Sequence, residues 1–362
     1  MRRIAFYGKG GVGKSTVGTN IAAALAEQGL SVLVIGCDPK HDCTRNLRGE
    51  VEIPTILDLS REKGIERLGL EGLVGEAGEA GGAGGGAGGA GGGAGGVGEA
   101  EGGSRVRLDE VVYKGYRGVF CAECGGPRPG IGCAGRGVIV AIELLKRLNA
   151  FEELEPKPEV VIYDVPGDVV CGGFAMPLRG SLADEVFVVT SADYLALYAA
   201  NNICRGIKEF AAKGGTPLGG FVYNVRGVLD DEAVVRGFAE RVGSQVLGCI
   251  PNAHQIAEAE IEGRTVIEHA PESEVADLFR ALALRLYNSR EVSVPEPLPA
   301  DEMVKVGQEI RKRARERTRE RTSERARERT SERARERTSE RASERASGKW
   351  QDEKSGKKSK II

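Results

Sequence analysis

The chain lacks any apolar run of 18 or more residues, so no membrane-spanning helix is expected. It also lacks a secretory opening. "MRRIAFYGKG" runs from two arginines straight into a strand-like stretch and a glycine loop, with no apolar h-region. Charge of one sign is missing too. A formal net charge of -2 gives no bulk attraction to nucleic acid or to a membrane surface. The eight cysteines have no regular spacing, so no disulfide framework is indicated. Together these absences point to a cytoplasmic protein whose thiols serve as core residues, metal ligands or redox groups.

What is present is enough apolar residue, 41% of 362, to bury one large or two ordinary domains. Apolar runs such as "RIAFYG", "SVLVIGCD", "PEVVIYDVPG", "EVFVVTSA", "GGFVYNVRG" and "SQVLGCIP" alternate with helical periods such as "STVGTNIAAALAEQG". Continuous Val/Ile runs suit strands buried on both faces of a parallel sheet, and the alternation implies right-handed crossovers. The expected domain covers 1–290. A Gly/Ala-rich segment at about 75–104 reads as a flexible insert, a surface expansion that loop entropy tolerates rather than a tether. Residues 291–310 read as a linker. From 311 to 362 the chain is a low-complexity Arg/Glu-rich tail, in which "RERTSERARERTSERARERTSERASERASG" repeats every eight residues, with Glu at every fourth position from Glu316 to Glu344, each followed by Arg. No apolar stripe supports a coiled coil, so the tail is expected to be disordered or a solvated charged helix. Its glutamates offset much of the arginine charge and argue against a nucleic-acid arm.

"GKGGVGKST" spans Gly8, Lys9, Gly10, Gly11, Val12, Gly13, Lys14, Ser15 and Thr16, between a strand and a helix. The glycines let backbone N–H groups face phosphate oxygens. Lys14 reaches the β and γ phosphates, Ser15 ligates Mg²⁺, and the helix adds its positive end. The fold class expected is therefore α/β, a P-loop NTPase with a mostly parallel sheet flanked by helices. Lys9 is additional to the common motif. It resembles the deviant Walker A type, in which this lysine crosses a dimer interface to the partner's nucleotide. Asp38, Asp42 and Asp164 stand at or just beyond strand ends, where carboxylates hold Mg²⁺ or its waters and orient the attacking water.

Two further stretches, "GGPRPGIGCAGRGVI" and "YDVPGDVVCGGFAMPLR", place Cys133 and Cys171 in glycine-rich turns. Together with "YGKGGVGKST", "GCDPKHDCT" and "LALYAANNI" they resemble the nitrogenase iron protein family. That family includes the ATP-dependent reductase subunits of protochlorophyllide reductase, chlorophyllide reductase and the nickel-sirohydrochlorin reductive cyclase. The resemblance covers about 1–70 and 104–290. A [4Fe–4S] cluster takes four thiolates, and two matching chains related by a two-fold axis supply four from Cys133 and Cys171. The resemblance implies one such cluster per homodimer, MgATP as the second cofactor, a ferredoxin-like electron donor and a larger heteromeric component that receives electrons. It also implies that Asn224 contacts adenine, that Pro251 lies near the base, and that Arg136 lies on the docking face and is a site of regulatory modification. ATP-driven change at Asp164 would reach Cys171, seven residues downstream.

Cys121 and Cys124 form a C-x-x-C that with Cys133 suggests zinc, but Cys121 matches a family position that is not a ligand. Cys37, Cys43, Cys204 and Cys249 read as core or near-surface thiols. Three departures from the family bear on mechanism: Pro166 where Leu is usual, Asn252 where Arg is usual, and Cys124 where Ser or Ala is usual. Glu260 still fits. His41 resembles the tetrapyrrole reductases, whereas "RGVI" and "MPLR" resemble nitrogenase and methanogen proteins. A nickel-tetrapyrrole role is placed slightly ahead of nitrogen fixation. The contrasting classes are a partitioning ATPase, which would make both cysteines incidental, and a carrier that hands on whole clusters.

Overall fold

Aligned strand ends decide where the chemistry can sit. In the computed structural model, residues 1–64, 106–127, 134–167, 169, 171–180, 182–227 and 231–356 are described. The glycine-rich insert and Cys133 lie outside the described residues. Among those described, eight strands form one sheet: β1 (Arg2–Tyr7), β2 (Val32–Gly36), β3 (Tyr113–Lys114), β4 (Phe120–Glu123), β5 (Val160–Asp164), β6 (Glu185–Thr190), β7 (Leu218–Asn224) and β8 (Val246–Ile250). Their order is β3-β4-β2-β5-β1-β6-β7-β8. All neighbours are parallel except the edge strand β3, which runs against β4. The expected P-loop α/β fold is thus the observed one. Every residue of β2, β5, β6 and β7 is buried, as continuous apolar runs require when helices cover both faces.

Register brings the functional segments together. Phe6 of β1 and Gly36 of β2 both pair with Asp164 of β5, and Gly36 also pairs with Glu123 of β4. The loops after β1, β2, β4 and β5 therefore leave from one carboxyl edge, where open α/β sheets bind ligands.

The helices are α1 (Lys14–Glu27), α2 (Arg45–Arg48), α3 (Ile56–Glu62), α4 (Ala134–Arg147), α5 (Ala150–Glu153), α6 (Tyr194–Ala211), α7 (Glu232–Arg241), α8 (His254–Ile261), α9 (Val266–His269), α10 (Glu274–Asn288) and α11 (Ala300–Gly356). Helix α1 is buried from Val17 to Leu25, which its alanines permit by letting α10 and the sheet approach closely. Asn20 ties α1 to α9. Its Nδ2 donates to the Thr16 carbonyl at 2.9 Å, and its Oδ1 accepts from the Val266 N–H at 2.8 Å. The Ser273 hydroxyl caps α10 by accepting from the Ala276 N–H.

The chain divides into Met1–Val306 and Gly307–Ile362. Residues 291–306, expected as linker, belong to the first unit. Ser293 exchanges two backbone hydrogen bonds with Leu218, at 2.8 and 2.9 Å. Leu298 does the same with the Asn201 side chain, and Met303 and Val306 are buried. The second unit, taken by itself, is the helical continuation of α11 through the Arg/Glu repeat as far as Gly356.

Candidate functional site

The loop after β1 turns on glycines that need positive φ. Gly11 has φ 75° and Gly13 has φ 91°, the latter just before the first turn of α1. Lys14, Ser15 and Thr16 form that turn, so their backbone N–H groups and the helix dipole face one point. Lys9 and Gly10 are exposed at the loop tip, and Gly8 is buried against the Val189 carbonyl.

Lys14 is buried, and its Nζ forms an ion pair with the Asp164 carboxylate. Burial by itself opposes the ammonium charge. The Asp164 charge and hydrogen bond overcome it and raise the Lys14 pKa. The second carboxylate oxygen of Asp164, Oδ2, is buried with no protein partner. An orphaned carboxylate oxygen beside a phosphate loop fits a magnesium ion or one of its waters, which would hold MgATP together with Ser15. Thr16 Oγ1 donates to the Glu260 carboxylate of α8, which anchors that helix to the loop. Asp38 is half-buried, with its Oδ1 accepting from the Lys40 N–H at 3.0 Å, while Asp42 is exposed on the same loop.

Asn224 ends β7 and is buried. Its Nδ2 donates to the Val12 carbonyl at 2.7 Å and fills the space that a Cβ on Gly13 would need, 2.1 Å away. It therefore braces the phosphate loop. Pro251 follows β8, whose last residue Ile250 pairs with Asn224. Asn252 next to it is exposed.

Beyond Asp164, Pro166 and Gly167 cross the loop. A Cβ on Gly167 would lie 2.5 Å from the Gly8 carbonyl oxygen, so only glycine lets this segment rest on the phosphate loop. The chain then reaches Cys171, which is half-buried. A Cβ on Gly135 would fall 2.2 Å from Cys171 Sγ, and one on Gly173 would fall 1.7 Å from the Gly135 carbonyl oxygen. The turn bearing Cys171 is thus seated on the first turn of α4, which begins at Ala134, one residue after Cys133. A thiolate held at a helix N-terminus with glycine backbones around it suits an anionic iron–sulfur cluster. Arg136 is exposed in the same turn.

Cys121 and Cys124 of the C-x-x-C have different partners, and Cys133, the third cysteine of the zinc reading, lies outside the described residues. On β4, Cys121 faces Gly115 and contacts the Val119 carbonyl, while Cys124 hydrogen-bonds the Cys37 thiol. That contact, after burial and the neighbouring charges are added, holds the Cys37 thiol well above its usual range. Sequence reasoning missed Glu123 and Thr44, both buried between β4 and the Asp38–Asp42 loop. The available signal was an acid in the otherwise apolar run "VFCAEC".

Comparison with known proteins gives the family and the fold. A family profile described as 4Fe-4S iron sulfur cluster binding proteins, NifH/frxC family, matches residues 2–102 and 97–312. Among similar proteins, "Nitrogenase iron protein 2" of Methanothermococcus thermolithotrophicus is 51% identical over 316 residues, 87% of this chain and 98% of the relative. "Nitrogenase iron protein 2" of Methanobacterium ivanovii is 46% identical over 301 residues, 83% of this chain and 96% of the relative. Among solved structures, the Pyrococcus furiosus cell division ATPase MinD superposes with TM-score 0.52 at 19% identity, covering 79% of this chain and 98% of that one. A ParA family ATPase from Chlorobium tepidum gives 0.52 at 18%, covering 78% and 97%. At such identities these two establish the shared fold alone. Among the described residues no helix is long and apolar enough to cross a membrane. With the phosphate loop and the Cys171 seat in place, the chain belongs to the NifH/frxC family of 4Fe-4S iron–sulfur cluster binding proteins.

Proposed function

We propose that this protein is an ATP-dependent reductase that works as a homodimer and passes low-potential electrons to a larger partner component. The observation that carries the proposal is the seating of Cys171 on the turn that follows Cys133, with Asp164 seven residues upstream of Cys171. Cys133 and Cys171 of two subunits would hold one [4Fe–4S] cluster, which supplies one-electron redox chemistry when bound. Lys14, Ser15 and the N–H groups of the Gly8–Thr16 loop bind the phosphates of MgATP. Asp38, Asp42 and Asp164 sense the γ phosphate and orient water, and Lys9 reaches the partner subunit's nucleotide. Lys14 exchanges part of its contact with Asp164 for phosphate, which frees the Asp164 segment to shift. Asn224 and Pro251 border the base, and Arg136 meets the docking partner. A ferredoxin-like protein would recharge the cluster.

Relatives named nitrogenase iron protein support nitrogen fixation as the destination of the electrons. His41 after "CDPK", where nitrogenase iron proteins usually carry Ala, resembles the tetrapyrrole reductases and supports that branch as the second reading. Anaerobic iron analysis and electron paramagnetic resonance of the reduced protein, with and without MgATP, test the shared core. About four irons per dimer and an ATP-sensitive signal are expected. ATP binding by a protein that takes up no iron on anaerobic reconstitution would replace the proposal with a partitioning ATPase. Reconstitution with a nickel-tetrapyrrole substrate component or a dinitrogen-reducing component separates the two branches.

A further inference from the structure

The loop that carries Asp38 and Asp42 ends at Thr44, and a buried carboxylate grips that end. Glu123, the last residue of β4, is 0% exposed. Its Oε1 accepts from the Thr44 backbone N–H at 2.7 Å and from the Thr44 hydroxyl at 2.6 Å. Arg48 Nε donates to the same hydroxyl at 3.1 Å, completing a chain from Arg48 through Thr44 to Glu123. The other carboxylate oxygen, Oε2, is buried with no protein partner. It lies 2.1 Å from where a Cβ on Gly36 would be, so β2 ends in glycine to make room for the acid on β4. An apolar side chain would close the sheet here at less cost than a half-satisfied buried carboxylate. Such a breach of packing logic marks a functional position.

The start of the loop rests on the same segment. A Cβ on Gly126, three residues beyond Glu123, would meet the Pro39 side chain at 2.8 Å and the Pro39 carbonyl oxygen at 3.2 Å. Residues 123–126 therefore hold Pro39 at one end of the Asp38–Asp42 loop and Thr44 at the other. The chain that leaves β4 through Gly126 continues in sequence to Cys133.

We propose that Glu123 is a positioning residue for the nucleotide response, clamping Thr44 so that a shift of the Asp38–Asp42 loop moves the segment after β4 as well. Asp164 and Cys171 would then form one route from phosphate to cluster, and Asp38, Glu123 and the segment after β4 a second. The cluster half of this statement rests on the proposed function, whereas the nucleotide half does not.

The test uses full-length protein with Glu123→Gln, Glu123→Leu and Thr44→Val. Glu123→Gln keeps an acceptor for Thr44, Glu123→Leu removes it, and Thr44→Val removes the hydroxyl alone. Dissociation constants for MgATP and MgADP are measured by calorimetry, and iron release to a chelator is timed with each nucleotide. Glu123→Leu and Thr44→Val are expected to shift the MgATP-to-MgADP affinity ratio about fivefold or more and to abolish the difference in iron release between the nucleotides. That ratio corresponds to about 1 kcal/mol of coupling. Glu123→Gln is expected to restore both. If Glu123→Leu does not fold, Thr44→Val decides. A wild-type affinity ratio and a wild-type nucleotide effect on iron release in Thr44→Val overturn the proposal. If the wild-type protein takes up no iron, the proposed function fails, and the affinity ratio alone still decides the role of Glu123.

Discussion

Lys14 and Asp164 form a buried ion pair across the carboxyl edge of the sheet, one from the first turn of α1 and the other from the end of β5. Removing one partner strands a charge out of water, which costs about 3–5 kcal/mol, whereas removing both costs much less. Lys14→Met is therefore expected to lower thermal stability strongly and to abolish MgATP binding. The double variant with Asp164→Leu regains most of the stability and none of the binding. Thermal melts and calorimetry on the single and double variants check this, and equal melting temperatures for the two would refute it.

Gly135 tests the proposed cluster seat without changing Cys133 or Cys171. An alanine Cβ there would fall 2.2 Å from Cys171 Sγ, closer than any real contact, so the Cys171 turn must move. Gly135→Ala is expected to cut bound iron by at least about half, since metal sites tolerate little displacement of their ligands. MgATP affinity should stay within about twofold, because α4 does not contribute to the phosphate loop. Full iron content in this variant would show that the cluster lies elsewhere.

Glu123 gives stability a pH dependence. Burial is the main cause that pushes its carboxyl up to about 7, and the Asp164 charge adds to this. The Thr44 hydrogen bonds and Arg48 pull the other way. The folded state thus holds a proton that the unfolded chain releases near pH 4.5. Between these values the native state binds more protons, so stability falls as pH rises, by at most about 1.4 kcal/mol per pH unit. Below the window the term is constant. Glu123→Gln should flatten the slope, which denaturant titrations at several pH values between those limits would measure.

The two ends of the C-terminal region should behave differently on truncation. Ending the chain after residue 310 removes the Arg/Glu-rich tail and is expected to leave the melting temperature within about 2 °C, as surface changes do. Ending it after residue 290 also removes buried Leu298, Met303 and Val306 and exposes what they cover. At about 1.5–3 kcal/mol for each buried side chain, a fall of about 10 °C or more is expected. Identical melts for the two truncations would place the boundary at 290.

Much of the candidate site was legible in the sequence because the proposed chemistry needs particular atoms at fixed spacings. A loop that cradles phosphate must carry glycines at Gly11 and Gly13, and a helix that follows must start with Lys14 and Ser15. Apolar runs wide enough to be buried on both faces declared the parallel strands. The motifs around Cys133 and Cys171, with those of the phosphate loop and the Asp38–Asp42 loop, carried the family resemblance without any coordinates.

Other features depend on contacts between residues far apart in the chain, and no local pattern encodes those. Glu123 looks like a stray acid until register sets it opposite Gly36 and Thr44 closes on it. Asn224 braces Val12 from 212 positions away, and Gly135 is glycine because a sulfur from Cys171 fills its place. The stretch after residue 290 reads as linker because its apolar residues are sparse, yet Leu298 and Ser293 find backbone and amide partners on β7 and α6. Composition and spacing thus determined the class of fold and the phosphate loop, while the cluster family came from the resemblance carried by the cysteine motifs. The parallel register and close backbone approach, which satisfy hydrogen bonds and exclude water only in three dimensions, decided which side chains brace that chemistry.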